Sequence, residues 1–151
     1  MNSEEINALM LSDIHVKRIF KGVFPRDCLP SHINGERSIL IVNTDHSKGQ
    51  GEHWVCIYLN TVEGVSEYFD SFGLPPRTKD VESFIKNNSL KYTYNNIVLQ
   101  PIVSDTCGYF CYYYAKRKAR GMNMRSILRH LRSTRPYYNN HQILKNIHHL
   151  C

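Results

Sequence analysis

No apolar run in this chain reaches the roughly 18–20 residues that a membrane-spanning helix requires, so a helical membrane protein is excluded. The opening residues, Met1-Asn2-Ser3-Glu4-Glu5, lack the basic start and apolar stretch of a secretory signal. The expectation is a protein that is not secreted. A second cysteine pair at zinc-finger spacing, to go with Cys107-x3-Cys111, is also missing. The five cysteines, Cys28, Cys56, Cys107, Cys111 and Cys151, are odd in number, which argues for reduced thiols over a disulfide framework. His148, His149 and Cys151 crowd together with no second cluster, so no metal site is expected. Acid is absent from residues 106–151, which hold nine Lys and Arg and no Asp or Glu; residues 1–105 hold ten bases against thirteen acids. The net charge of +6 is thus a +9 segment attached to a −3 body. Such a segment either is a solvated basic surface or attracts a polyanion, nucleic acid foremost. The candidates for that contact are Lys116, Arg117, Lys118, Arg120, Arg125, Arg129 and Arg132.

What is present points to a packed domain. Ten Tyr, six Phe and one Trp in 151 residues are too many large apolar groups to leave in water. The length suits one domain over residues 1–151, with no repeat or linker. Residues 3–11 read as a helix capped by Ser3. Ser38 to Val42 is a continuous apolar run, the pattern of a strand buried on both faces. After a polar loop from Asn43 to Glu52 comes a strand from His53 to Leu59, and Val65 to Asp70 reads as its hairpin partner. Thr78 caps a helix through Asn87, and Asn96 to Gln100 reads as a further strand ended by Pro101. Cys107 to Arg120 is helical, with Gly121 at its C-terminal cap, and shorter helices at about 124–133 and 140–149 follow. The order predicts an α+β domain: a small mixed or antiparallel sheet with a central helix carrying Cys107 at its N-terminus.

Cys107 is the candidate nucleophile. A helix N-terminus offers unpaired N–H groups and a positive dipole end, which favour the thiolate. Gly108 next to it lets the backbone approach a substrate closely. A cysteine nucleophile needs a base, and the base an orienting acceptor. His53 begins one strand and Asp70 ends the next, so an antiparallel hairpin sets them side by side at one sheet edge. Gln100, seven positions before Cys107, carries an amide able to donate to an oxyanion, with the Cys107 N–H as second donor.

Gly51-Glu52-His53-Trp54, Tyr68-Phe69-Asp70-Ser71-Phe72-Gly73, Gln100 and Thr106-Cys107-Gly108-Tyr109-Phe110-Cys111, in that order and spacing, resemble the adenovirus protease (adenain) group. That group lies in the clan of SUMO- and ubiquitin-like-specific cysteine proteases. The resemblance runs from the first helix to about residue 120. It implies a thiol endopeptidase with Cys107 as nucleophile, His53 as general base and then acid, Asp70 as orienting group and Gln100 in the oxyanion hole. Trp54, Gly51 and Gly108 would line the cleft. It also implies cleavage after small residues, commonly beside Gly, in viral precursors or at ubiquitin-like tails, by a monomer in the virion or in the host nucleus or cytoplasm. No cofactor is required for that chemistry, and DNA is implied as an activating polyanion. Two departures stand out. Asp70 replaces the Glu of the adenovirus enzymes, and no cysteine between Cys56 and Cys107 could take an activating peptide by disulfide. Three readings follow: a protease of capsid precursors of viral or transposon origin, a deubiquitinating or deSUMOylating isopeptidase, and a catalytically silent DNA-binding module.

Overall fold

The computed structural model describes residues 1–131, 134–145 and 147. Its centre is a five-stranded mixed sheet in the order β1-β2-β3-β4-β5: β1 (Phe20–Pro25), β2 (Arg37–Asn43), β3 (Trp54–Asn60), β4 (Val65–Phe69) and β5 (Lys91–Tyr94). The inner pairs β2–β3 and β3–β4 are antiparallel, and the edge strands β1 and β5 pair in parallel with their neighbours. Among the described residues, six α-helices accompany the sheet: α1 (Ser3–Leu11), α2 (Ile14–Ile19), α3 (Lys79–Asn88), α4 (Cys107–Ala119), α5 (Met124–Arg129) and α6 (Pro136–Lys145).

The two central strands are apolar throughout because both sheet faces are covered. Side chains alternate across a strand. Ile39 and Ile41 of β2 with Cys56 and Tyr58 of β3 face α4, and Phe69 of β4 stacks on Tyr114 with ring centroids 4.3 Å apart. Leu40 and Val42 with Val55, Ile57 and Leu59 face the other way, onto Val81, Phe84 and Ile85 of α3. Burying one such side chain contributes about 1.5–3 kcal/mol, so this sandwich is what sets the strand ends rigidly in place. Helix α4 is the buried helix of the molecule. Phe110, Tyr114 and Ala115 are fully buried, and Tyr112, Tyr113 and even Lys116 nearly so. It ends at Gly121, whose φ of +86° suits glycine at the residue after a helix cap.

Several elements differ from the sequence expectation. The first helix is capped by Asn2, whose side chain accepts from the Glu5 N–H while Glu5 reaches back to the Asn2 N–H. Helix α2 and strand β1 went unread, since Gly22 and Pro25 obscure the strand pattern. Residues 96–100 are not a strand. The Leu99 and Gln100 N–H groups both donate to one acceptor, the Ser71 carbonyl, at 2.8 and 3.0 Å. A ladder distributes its bonds over successive residues, so this is a hook that pulls the segment onto the end of β4. The edge position falls instead to Lys91–Tyr94, a four-residue strand exposed at every position but Tyr94. The last two helices lie at 124–129 and 136–145, displaced from about 124–133 and 140–149.

Candidate active site

The β3–β4 hairpin does what its register dictates. Cys56 pairs with Phe69, so the start of β3 and the end of β4 share one sheet edge. There His53 Nε2 lies 2.7 Å from Asp70 Oδ1, with only 13% and 5% of the two side chains exposed. The same Asp70 oxygen accepts the Phe72 N–H at 2.8 Å. The Phe72 ring stacks on the imidazole at 4.7 Å, closing one face of it. Asn95, itself buried, holds the Asp70 backbone from both directions. Its Oδ1 accepts the Asp70 N–H at 2.9 Å, and its Nδ2 donates to the Asp70 carbonyl at 2.6 Å.

Cys107 is the first residue of α4, and it interacts with His53. Burial opposes ionisation of the thiol, yet the His53 hydrogen bond, the Trp54 N–H, the His53 charge and the Gly108 N–H together hold the Cys107 pKa below its ordinary value. Burial likewise disfavours the imidazolium, but Asp70 and Cys107 outweigh it and raise His53 to about 9. The two shifts are one fact: each group stabilises the charged form of the other, which moves the site toward a thiolate–imidazolium pair. The helix start helps. Its N-cap, Thr106, makes no side-chain capping bond, so the first N–H groups of α4 are left for the sulfur. The other buried thiols go the opposite way, since desolvation pushes both Cys56 and Cys111 up. Cys28, exposed, is distant in kind from either class.

Gln100 is buried, 1% exposed, in the wall of the same cleft. Its Oε1 accepts from Ser71 Oγ, and its Nε2 donates to the Ser104 carbonyl at 2.9 Å. The loop that carries it is secured from behind by α6: Asn139 Nδ2 donates to the Leu99 carbonyl at 3.1 Å, and Thr106 Oγ1 donates to Asn140. Trp54 is 8% exposed and serves both core and cleft, with its Nε1–H donating to the Met1 carbonyl at 2.9 Å. Gly51 lines the cleft, its N–H donating to Asp45 Oδ2 at 3.0 Å. Gly108 is small for a different reason than expected. A Cβ there would stand 2.8 Å from Met1 Sδ and 3.3 Å from Ile6 Cδ1, so the glycine makes room for α1. The cleft measures about 690 Å³, and its acidic lining besides the Cys107–His53 pair is Asp45, Glu52 and Asp105, with no Lys or Arg among the described lining residues.

The basic segment resolves into two groups. Lys116 is 2% exposed, donates to the Ile147 carbonyl at 2.8 Å and lies over the Tyr112 ring. Lys118 is 6% exposed and pairs with Glu67 at 2.7 Å. Arg117 lies 3.6 Å over the Tyr113 ring, and Arg120 pairs with Asp13 at 2.9 Å. Lys116, Lys118 and Arg120 bind α4 to its surroundings, and Arg117 lies along its own helix, which corrects the reading of these four as an open polyanion surface. Arg125 and Arg129 on α5 are exposed. Arg132, with His148, His149 and Cys151, lies outside the described residues. Ser71, Phe72, Asn95, Asn139 and Asn140 were missed by sequence reasoning. Their partners lie up to 40 residues away, and a single Asn or Ser carries no signal of that.

No family model matches the chain, and no curated protein matches it. Solved structures do. Two crystal structures of the ASFV pS273R protease align at 21% and 16% identity with TM-scores of 0.55 and 0.58, over 78% and 81% of this chain. The chain spans only 45% and 60% of the length of those two. The SUMO protease Ulp1, with its catalytic cysteine oxidised to a sulfinic acid, aligns at 12% identity with a TM-score of 0.50, over 97% of this chain and 78% of its own. With its mixed sheet and the buried helix behind it, the chain shares the fold of the ASFV pS273R protease and the SUMO protease Ulp1.

Proposed function

We propose that this chain is a cysteine endopeptidase that acts through Cys107, His53, Asp70 and Gln100. The observation that carries the reading is geometric: Cys107 at the start of α4, Gln100 and His53, whose Nε2 lies 2.7 Å from Asp70 Oδ1, line one cleft, with the Cys107 thiol held down and the His53 imidazole held up. Buried structural cysteines of the same chain shift the other way. In this reaction the Cys107 thiolate attacks the scissile carbonyl carbon, and the carbonyl π electrons move onto oxygen. The oxyanion accepts from Gln100 Nε2–H and from the Cys107 N–H, which as the first of a helix has no intrahelical acceptor. His53 gives its proton to the departing amine, leaving a thioester on Cys107. His53, now neutral, takes a proton from water, which attacks the thioester; the acid product leaves and the thiolate–imidazolium pair returns. Asp70 holds the ring and compensates its charge throughout.

The favoured substrate is a capsid precursor of viral or transposon origin, cut at a small or Gly-containing site, with no cofactor required and the enzyme acting as a monomer in the virion or host cell. Turnover of a short fluorogenic peptide with glycine at the scissile bond tests it. Wild-type turnover with none from Cys107→Ala or His53→Ala is expected, and turnover retained by Cys107→Ala would overturn the reading. An isopeptidase of ubiquitin-like conjugates is the second reading, favoured by the alignment of nearly the whole chain on Ulp1. Ubiquitin- and SUMO-derived fluorogenic substrates separate it from the first. DNA as an activating polyanion would rest on Arg125 and Arg129, away from a cleft whose charged groups are acidic.

A further inference from the structure

Asp70 and Ser71 are consecutive, and each governs a different half of the site. Asp70 aims His53. Ser71, 1% exposed, turns to Gln100: its Oγ donates to Gln100 Oε1, and its carbonyl accepts the Gln100 N–H at 3.0 Å and the Leu99 N–H at 2.8 Å. A carboxamide presents an oxygen and an NH₂ of nearly equal shape, and only one orientation suits an oxyanion. In the other orientation Gln100 would set its oxygen against the Ser104 carbonyl, which now accepts from Nε2 at 2.9 Å. Two acceptors would then face each other in a buried place, a costly arrangement. With Oε1 held by Ser71 and one N–H spent on Ser104, the second N–H of Nε2 is the group left for the cleft.

We infer that Ser71 is a positioning residue for the proposed reaction: it anchors the Gln100 carboxamide, whose orientation the Ser104 carbonyl sets, with its NH₂ toward the oxyanion, and acts on turnover only through Gln100. The inference rests on the protease reading. It makes the short dipeptide at the end of β4 responsible for aiming both the base and the oxyanion donor. Ser71 has no place in forming the nucleophile, because the groups that depress the Cys107 thiol are His53, Trp54 and Gly108. The role is therefore separable from a general loosening of the site.

The test is a double-mutant cycle on the full chain, with the same fluorogenic glycine-containing peptide and, in parallel, the rate of Cys107 alkylation by iodoacetamide at fixed pH. Removing an oxyanion donor lowers kcat by about 10²–10³-fold, so Gln100→Ala should fall in that range and Ser71→Ala by about tenfold to a hundredfold, with KM little changed. In the Gln100→Ala background, Ser71→Ala should lower kcat no further, and neither change should slow alkylation. Ser71→Cys keeps the volume with a weaker donor and should show the same pattern; it stands in if Ser71→Ala does not fold. An equal loss from Ser71→Ala in both backgrounds, or alkylation slowed along with turnover, would overturn the positioning role. A wild-type chain that is alkylated but cleaves no peptide would overturn the protease reading itself, and this role with it.

Discussion

His53 Nε2 and Asp70 Oδ1 stand 2.7 Å apart across the open end of the β3–β4 hairpin, and the same carboxylate oxygen is also bonded to the Phe72 N–H at 2.8 Å. The acid is thus fixed by its own strand end before it meets the base. A second clamp, Asn95, holds the backbone on which it sits.

The first prediction follows from that contact. Asp70 is the main support for the imidazolium against burial, raising His53 to about 9. In the proposed reaction a protonated His53 donates to the leaving group, so the alkaline limb of the rate profile should lie near that value. Asp70→Asn removes the charge and keeps the shape. The alkaline limb should then move down, toward the roughly 6.5 of an ordinary imidazole. The pH dependence of kcat/KM measures it, and an unmoved limb would show that Asp70 does not govern the base.

The thiol itself makes the second. Cys107 ionises below its ordinary range because of His53. Replacing His53 with Ala should raise the pH at which alkylation of Cys107 turns on. Cys56 and Cys111, buried with raised pKa values, should remain unlabelled in the native protein. Mass spectrometry of the labelled chain checks both statements.

Gly73 supplies a third. Its φ is +72°, and a Cβ would lie 2.6 Å from the backbone carbonyl of Ile97. Neither the conformation nor the neighbouring backbone can give way cheaply. Gly73→Ala should cost roughly 1–3 kcal/mol from the backbone alone, with more from the clash. It should also disturb Gln100, because Gly73 closes the turn after Asp70, Ser71 and Phe72. Thermal unfolding reads the first effect and kcat the second.

The fourth concerns the basic segment. Lys118 and Glu67 are paired with 8% and 12% of their side chains exposed. Removing one partner of a buried pair costs about 3–5 kcal/mol, so Lys118→Met should lower Tm, and adding Glu67→Gln should recover part of the loss. Arg125→Ala and Arg129→Ala should leave Tm nearly unchanged. If DNA binds this face, each should reduce the salt slope of binding by about 0.9. Loss of DNA affinity from Lys118→Met in the folded state, with none from the arginines, would contradict the division.

Local chemistry was readable where a residue's neighbours in sequence are its neighbours in space. Thr78 caps α3, Gly121 ends α4, and the apolar runs of β2 and β3 mark strands covered on both faces. The order His53, Asp70, Gln100, Cys107 was visible, as was the hairpin that brings the first two together. Reading failed where a segment's partners are remote. Ile97, Val98 and Leu99 look like a strand, but the hook onto the Ser71 carbonyl prevents a ladder. Strand β1 is short and interrupted by Gly22, and it exists because β2 offers it a parallel edge.

From composition and order alone follow a candidate nucleophile at a helix start, its candidate base and acid side by side at the open end of a hairpin, and a surplus of positive charge after residue 105. Period and capping are local properties, and charge is a count. Which lysines are exposed, what holds Asp70 in place and which way the Gln100 amide faces are decided only in the tertiary structure. A lone serine, asparagine or lysine acquires its role from the group packed against it: Ser71 from Gln100, Asn95 from Asp70, Lys118 from Glu67. Those partners meet only when the sheet and α4 close on one another, because burial is what turns an ordinary polar side chain into a fixed donor or acceptor.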